Sequence, residues 1–204
     1  MKEAEHATVQ KDYAGAKLGM WLFLYTEILL FGGLFVLYSV YLQRYPREFG
    51  AAAADLNIVL GAVNTVILLT GSLLVAISIT ALRRGSVKLA QWMLWGSVLT
   101  GIVFLINKYI EWSAEISHGI YPGSPILAQK ESGEIIFFGL YYITLGLHGL
   151  HVLIGAVLLA FMAVYVATGS VNRDDFIKLE NTGLYWHLVD LVWIFIFPLY
   201  YLLL

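Results

Sequence analysis

Five ionisable residues stand inside long apolar runs of the sequence: Glu27, His148, His151, His187 and Asp190. Carboxyl and imidazole groups exchange protons, and imidazole is also a common metal ligand. An ionisable side chain set in hydrocarbon is costly, so each of the five needs a partner or a task. His148 and His151 are three residues apart and share a helix face, as do His187 and Asp190. Glu27 lies about 15 Å along a helix from Lys17, near the middle of its run. These positions predict one polar seam between the first, fourth and fifth runs, in which carboxyl and imidazole satisfy each other.

Each position carries two readings. Glu27 is either a proton-relay carboxyl or a neutral, hydrogen-bonded structural acid. His148 and His151 are either metal or heme ligands or packing histidines that hydrogen-bond inside a bundle, and the cost argument prefers the second. His187 and Asp190 read as a structural pair that locks the last run in place. Lys108 and Glu111, three apart near the end of the third run, read as a structural polar pair, an interfacial salt bridge or a snorkelling pair. Glu180 stands at the start of the last run, ahead of Tyr185, Trp186 and Trp193. The chain has no phosphate-cradling glycine loop, no cysteine and no nucleophile beside a base, so neither a catalytic residue nor a metal site is assigned.

The elements that must hold these groups are five apolar runs, near 17–42, 56–82, 88–116, 134–168 and 176–203. Each exceeds the roughly 20 residues that span a bilayer core as a helix. The runs are too long and too uniformly apolar for barrel strands. Composition agrees: 60% of the 204 residues are hydrophobic and 13% are charged, against about 25% charged in soluble domains. That much apolar side chain needs an apolar solvent around it. The net charge of −2 gives no argument for nucleic acid. The connectors are short, no internal repeat is visible, and residues 1–204 read as a single membrane domain behind a polar tail at 1–16. The tail has no apolar core, which predicts that it is not a cleavable signal and that the first run serves as the insertion signal.

Eight Lys and Arg lie on the side of the N-terminal tail, the 83–88 turn and the 169–178 loop, against three on the other side. The positive-inside rule then predicts an all-α, polytopic five-helix bundle with its N-terminus in the cytoplasm and its C-terminus outside.

The ordered motifs resemble one family. His148-Gly149-Leu150-His151-Val152-Leu153-Ile154-Gly155 resembles the fourth-span signature of the short, five-helix form of cytochrome c oxidase subunit III. Tyr185-Trp186-His187-Leu188-Val189-Asp190-Leu191-Val192-Trp193, preceded by Glu180, resembles its last-span signature. Thr26-Glu27-Ile28-Leu29-Leu30-Phe31 is similar to the segment with its carbodiimide-reactive glutamate. Leu68-Leu69-Thr70-Gly71-Ser72 and Lys108-Tyr109-Ile110-Glu111-Trp112 are similar to its second-span segment and third-span end.

The resemblance implies an accessory subunit of a proton-pumping heme–copper terminal oxidase. Such a subunit binds no heme or copper itself; those cofactors sit in partner subunits. It packs against subunit I, with subunit II and others in the complex, and supports sustained turnover and proton uptake. It implies bound phospholipid and the inner membrane of a bacterium or archaeon. The seven-helix members enclose a lipid-filled cleft with two N-terminal helices that this chain lacks, so the lining would differ here. By the same resemblance Glu27 is the family's buried glutamate, with His148, His151, His187 and Asp190 as its polar neighbourhood. Quinol-oxidase relatives tend to carry Asp at that place, so Glu27 leans to the cytochrome c type. The alternatives are a quinol oxidase subunit III, a subunit III-like partner of nitric oxide reductase, and, from another class, an independent transporter or channel. The missing repeat argues against the last.

Overall fold

The computed structural model describes residues 12–202. Six α-helices follow one another: α1 (Tyr13–Arg44), α2 (Pro46–Ala54), α3 (Ile58–Arg83), α4 (Val87–Ser117), α5 (Ser132–Ala167) and α6 (Ile177–Tyr201). A single 3₁₀ turn, Leu127–Gln129, precedes α5, and no strand occurs among the described residues. Five of the helices, all but α2, are long and apolar enough to cross a membrane. Residues 1–11 of the polar tail, and the end of the last predicted run at residue 203, lie outside the described residues.

The stretch from Arg44 to Asp55, predicted as a connector, holds the short helix α2 instead. Pro46 stands at its first turn, where the missing N–H costs nothing, and four alanines extend it. Nine residues of this kind carry neither the length nor the hydropathy that marks a span. Phe49, Ala52 and Ala53 are buried, so α2 folds back onto the bundle. Gly133 of α5 receives it closely, facing Tyr45 and Glu48.

The starts of α1 and α3 are capped by side chains. Asp12 accepts the Gly15 N–H at 2.7 Å and Asn57 accepts the Leu60 N–H at 3.0 Å, satisfying N–H groups that have no partner within the helix. Gly85, at φ +81°, makes the tight turn from α3 to α4.

Helices α3 to α6 form the core, and Trp186 of α6 is its centre. Its ring is 1% exposed. It occupies a socket walled by glycines from three other helices. A methyl group at Gly101 or Gly155 would meet that ring at 2.9 Å, and one at Gly71 at 3.4 Å. Small residues at such contacts let helix backbones approach, which is what packs helices where no hydrophobic force separates lipid from protein. Helix α1 leans on α5 and α6 by a narrow stripe, Leu24, Phe31 and Tyr38, spaced by seven residues. Tyr38 donates its hydroxyl to the Leu199 carbonyl at 2.5 Å, filling one of the open carbonyls in the last turn of α6.

Both ends of the bundle are tied by polar contacts. At the N-terminal end Glu180 of α6 meets Lys17 of α1 at 3.0 Å and also pairs with Arg83 of α3. At the other end Lys130 meets Glu134 at 2.5 Å and Asp55 at 3.4 Å. Burial alone would push the Lys130 ammonium down, but its bonds to Glu134 and Asp55 hold it above the usual lysine value.

Candidate functional site

Glu27 and His151 meet between α1 and α5. The Nε2 atom of His151 lies 2.9 Å from Glu27 Oε2, and Nδ1 lies 2.7 Å from the Leu147 carbonyl one turn earlier on α5. A carbonyl only accepts, so Nδ1 carries the hydrogen there. Nε2 then either accepts from a protonated Glu27 or, when itself protonated, donates to the carboxylate. In both states one proton lies in the bond between the two side chains. The pair can therefore hold a proton, pass it across 2.9 Å, and change charge when a second proton leaves or enters.

The surroundings position this pair on the His151 side. The Phe31 ring packs edge-on against the imidazole at 5.3 Å, and Tyr185 stacks on its other side at 6.4 Å. Tyr185 also donates its hydroxyl to the His151 backbone carbonyl at 3.3 Å. Glu27 and His151 are both partly exposed to a cavity of about 380 Å³ between α1, α5 and α6. Phe23, Ile154 and Leu158 make its apolar wall and Tyr185 closes one side.

His148 does not join them. It is fully buried, and neither ring nitrogen has a hydrogen-bond partner among the described residues. It packs on Trp193 at 5.3 Å and against the edge of Phe104 at 5.4 Å. Three residues along a helix turn the side chain by about 60°. That rotation sends His148 into the aromatic core and His151 toward α1, so the prediction of a hydrogen-bonded packing histidine is corrected at His148.

His187 and Asp190 also separate from the Glu27 pair. They do not bond to each other; His187 addresses Ser72 of α3 instead. His187 Nδ1 lies 2.5 Å from the Ser72 hydroxyl. Asp190 Oδ1 is buried with no hydrogen-bond partner among the described residues. The predicted single seam is therefore three sites: a pair at α1 and α5, a lone imidazole in the core, and a Ser72–His187 bond between α3 and α6. Within the last-span motif, Trp193 donates its indole N–H to Thr65 at 2.9 Å.

Lys108 and Glu111 do pair, at 3.0 Å, but not at an interface with solvent. They are 7% and 4% exposed, enclosed by two tyrosines. Tyr141 of α5 and Tyr201 of α6 both donate to Glu111 Oε1, at 2.7 and 2.5 Å, and Lys108 Nζ stands 3.1 and 3.0 Å from the same two hydroxyls. These tyrosines were not singled out from sequence. Their signal was the ion pair itself, which at this depth needs further hydrogen bonds. Among the described residues no group of three or more His, Cys, Asp or Glu side chains is arranged to hold a metal ion.

The chain matches the family model of cytochrome c oxidase subunit III over residues 2–203. It is 33% identical over 188 residues to the probable quinol oxidase subunit 3 of Staphylococcus haemolyticus, covering 92% of this chain and 88% of that protein. The cytochrome c oxidase subunit 3 of Thermostichus vulcanus is 27% identical over 201 residues, covering 98% and 92%. The heme-copper oxidase subunit I+III of Aeropyrum pernix is 29% identical over 206 residues, which is 97% of this chain but 24% of that longer protein.

Proposed function

This chain belongs to the cytochrome c oxidase subunit III family, and from that premise we propose that it is the accessory subunit III of a heme–copper terminal oxidase. In this reading it is a non-catalytic subunit of an oxidoreductase complex, with heme and copper held by partners and no redox centre of its own. It packs against subunit I; the Aeropyrum relative, named as subunits I and III in one chain, supports that contact. It lies in the cytoplasmic membrane with its N-terminus inside, as the charge asymmetry favours. Phospholipid fills its surface grooves, in keeping with the apolar wall beside Glu27.

Its task beyond packing is to hold a proton for uptake by subunit I. The observation that carries this is the Glu27–His151 bond with Nδ1 committed to the Leu147 carbonyl. That commitment fixes the imidazole orientation and turns Nε2 to the Glu27 carboxyl. A carboxyl and an imidazole that share a proton beside a cavity can take up and release one proton without rearranging the helices.

The complex type we propose is the cytochrome c one, on the strength of Glu27. The quinol type is the second reading, supported by the Staphylococcus haemolyticus relative. Purification of the native complex and its reduced-minus-oxidised spectrum decides between them. Hemes a with copper support the first, and hemes b and o support the second. A chain that purifies without any heme protein and moves ions in vesicles overturns both in favour of transport.

A further inference from the structure

The bundle end formed by α2 and the facing termini of α3 and α4 holds a second cavity, of about 580 Å³, away from the Glu27 pair. Asp55, Glu111, Glu115 and His118 give it its polar lining, and Leu60 and Ile110 contribute an apolar wall. Two of its three carboxylates are already answered: Lys108 stands 3.0 Å from Glu111 and Lys130 stands 3.4 Å from Asp55. Glu115 is not. It is only 8% exposed, and among the described residues none hydrogen-bonds its carboxylate or comes within ion-pair distance of it. His118, one turn on, is exposed and lines the same cavity beside Glu115.

A carboxylate that is mostly buried, keeps its remaining surface toward this cavity and has no counter-charge within ion-pair distance is costly, and a single cation placed on it recovers that cost. The shape says which kind of cation. The donors are not grouped as a metal ion requires. The cavity is far larger than a bare ion, and its apolar wall suits an alkyl stem that ends in a charge, as in lysine or arginine.

We propose that this cavity receives one lysine or arginine side chain from a neighbouring subunit, its stem along Leu60 and Ile110 and its head on Glu115. The proposal rests on the reading of the chain as a subunit of a larger complex, because that supplies a protein neighbour at this end.

Carboxyl labelling of the purified complex, with a carbodiimide and glycine amide and read by mass spectrometry, tests it. Glu115 is expected to label at least about tenfold more slowly in the complex than in the chain separated from it in detergent, the margin of one ion pair. Equal labelling overturns the proposal. So does protection that is lost when the complex is washed in high salt without subunit loss, which marks a free polyamine in place of a side chain. The Glu115→Gln variant gives an independent check with opposite signs. The separated variant chain is expected to be at least as stable as wild type, since it loses an unanswered buried charge. Its complex is expected to shed the subunit about tenfold more readily in salt. A variant complex that keeps the subunit as well as wild type overturns the proposal. Heme co-purification is read in the same preparations, so loss of protection with hemes present counts against the cavity alone. A chain with no heme partner counts against the subunit reading.

Discussion

Lys108 and Glu111 form an ion pair at 3.0 Å, one helical turn apart on α4 and almost wholly enclosed. Tyr141 and Tyr201 support the pair by donating to Glu111 Oε1 and accepting from Lys108, while Glu111 Oε2 faces the Lys108 ammonium alone. Removal of one charge strands the other. Glu111→Gln is expected to cost about 3–5 kcal/mol and Lys108→Met a similar amount, whereas the double variant costs clearly less than the sum of the two. Thermal unfolding of the detergent-solubilised protein measures all three. Additive losses would show that the pair is not a unit.

Glu27→Gln separates geometry from proton. The amide N–H of glutamine can still donate to His151 Nε2, so the bond between α1 and α5 survives while the exchangeable proton is gone. Complex yield is expected to stay near wild type, and the number of turnovers before inactivation is expected to fall, with slowed proton uptake. Wild-type turnover lifetime and proton uptake at every pH would remove the proton-holding role from this pair.

Ser72 anchors His187 across α3 and α6. Ser72→Ala is expected to cost about 1–2 kcal/mol and to lower complex yield. His187→Leu and Asp190→Leu are expected to hinder assembly as well. In the Ser72→Ala background, His187→Leu should add little, which a comparison of subunit recovery after solubilisation measures. Normal yield from both leucine variants would end the structural reading of these residues.

Lys130 gives a pH signature at the α2 end. Its folded value is raised, so the tie to Glu134 and Asp55 is fully present below the ordinary lysine value, about 10.4, and is lost as pH rises through the folded value. Lys130 is partly exposed, which limits the effect to under about 1 kcal/mol. Unfolding measured from neutral to strongly alkaline pH should show a shallow alkaline loss in the wild type that is absent in Lys130→Gln. The same loss in both would assign it to another group.

The Trp186 socket predicts a specific rescue. Gly155→Ala or Gly101→Ala forces a methyl group onto the indole and is expected to cost about 1–3 kcal/mol. Trp186→Phe, with its smaller ring, should restore part of that loss in combination with either alanine. The measurement is thermal stability, and a strictly additive double variant would contradict the close contact.

The five long helices were legible from sequence because length and hydropathy alone define a span, whatever it packs against. Helix α2 was not, since a short alanine-rich turn after Tyr45 carries no such signal. Glu27 was legible as a residue in need of a partner, but which histidine answers it was not. His148 and His151 differ by a small rotation on one helix, and only the packing of α5 against α1 and α6 decides which of them faces α1. The same holds for Tyr141 and Tyr201. Each looks like an ordinary aromatic of a membrane helix until α5 and α6 bring both hydroxyls to one oxygen of Glu111.

The three-walled seat of Trp186 bears on the order in which the protein is made. Its walls come from α3, α4 and α5, and the ring that fills it sits on α6, which leaves the ribosome after all three. Until α6 arrives, the three glycine faces enclose a gap that lipid or a neighbouring helix can enter. The arrival of Trp186 closes that gap and fixes the height of α6 in the bundle, which in turn brings Tyr201 to Glu111 and His187 to Ser72. A chain truncated before α6 would therefore lose more than one span. It would lose the step that turns five loosely associated helices into a finished bundle.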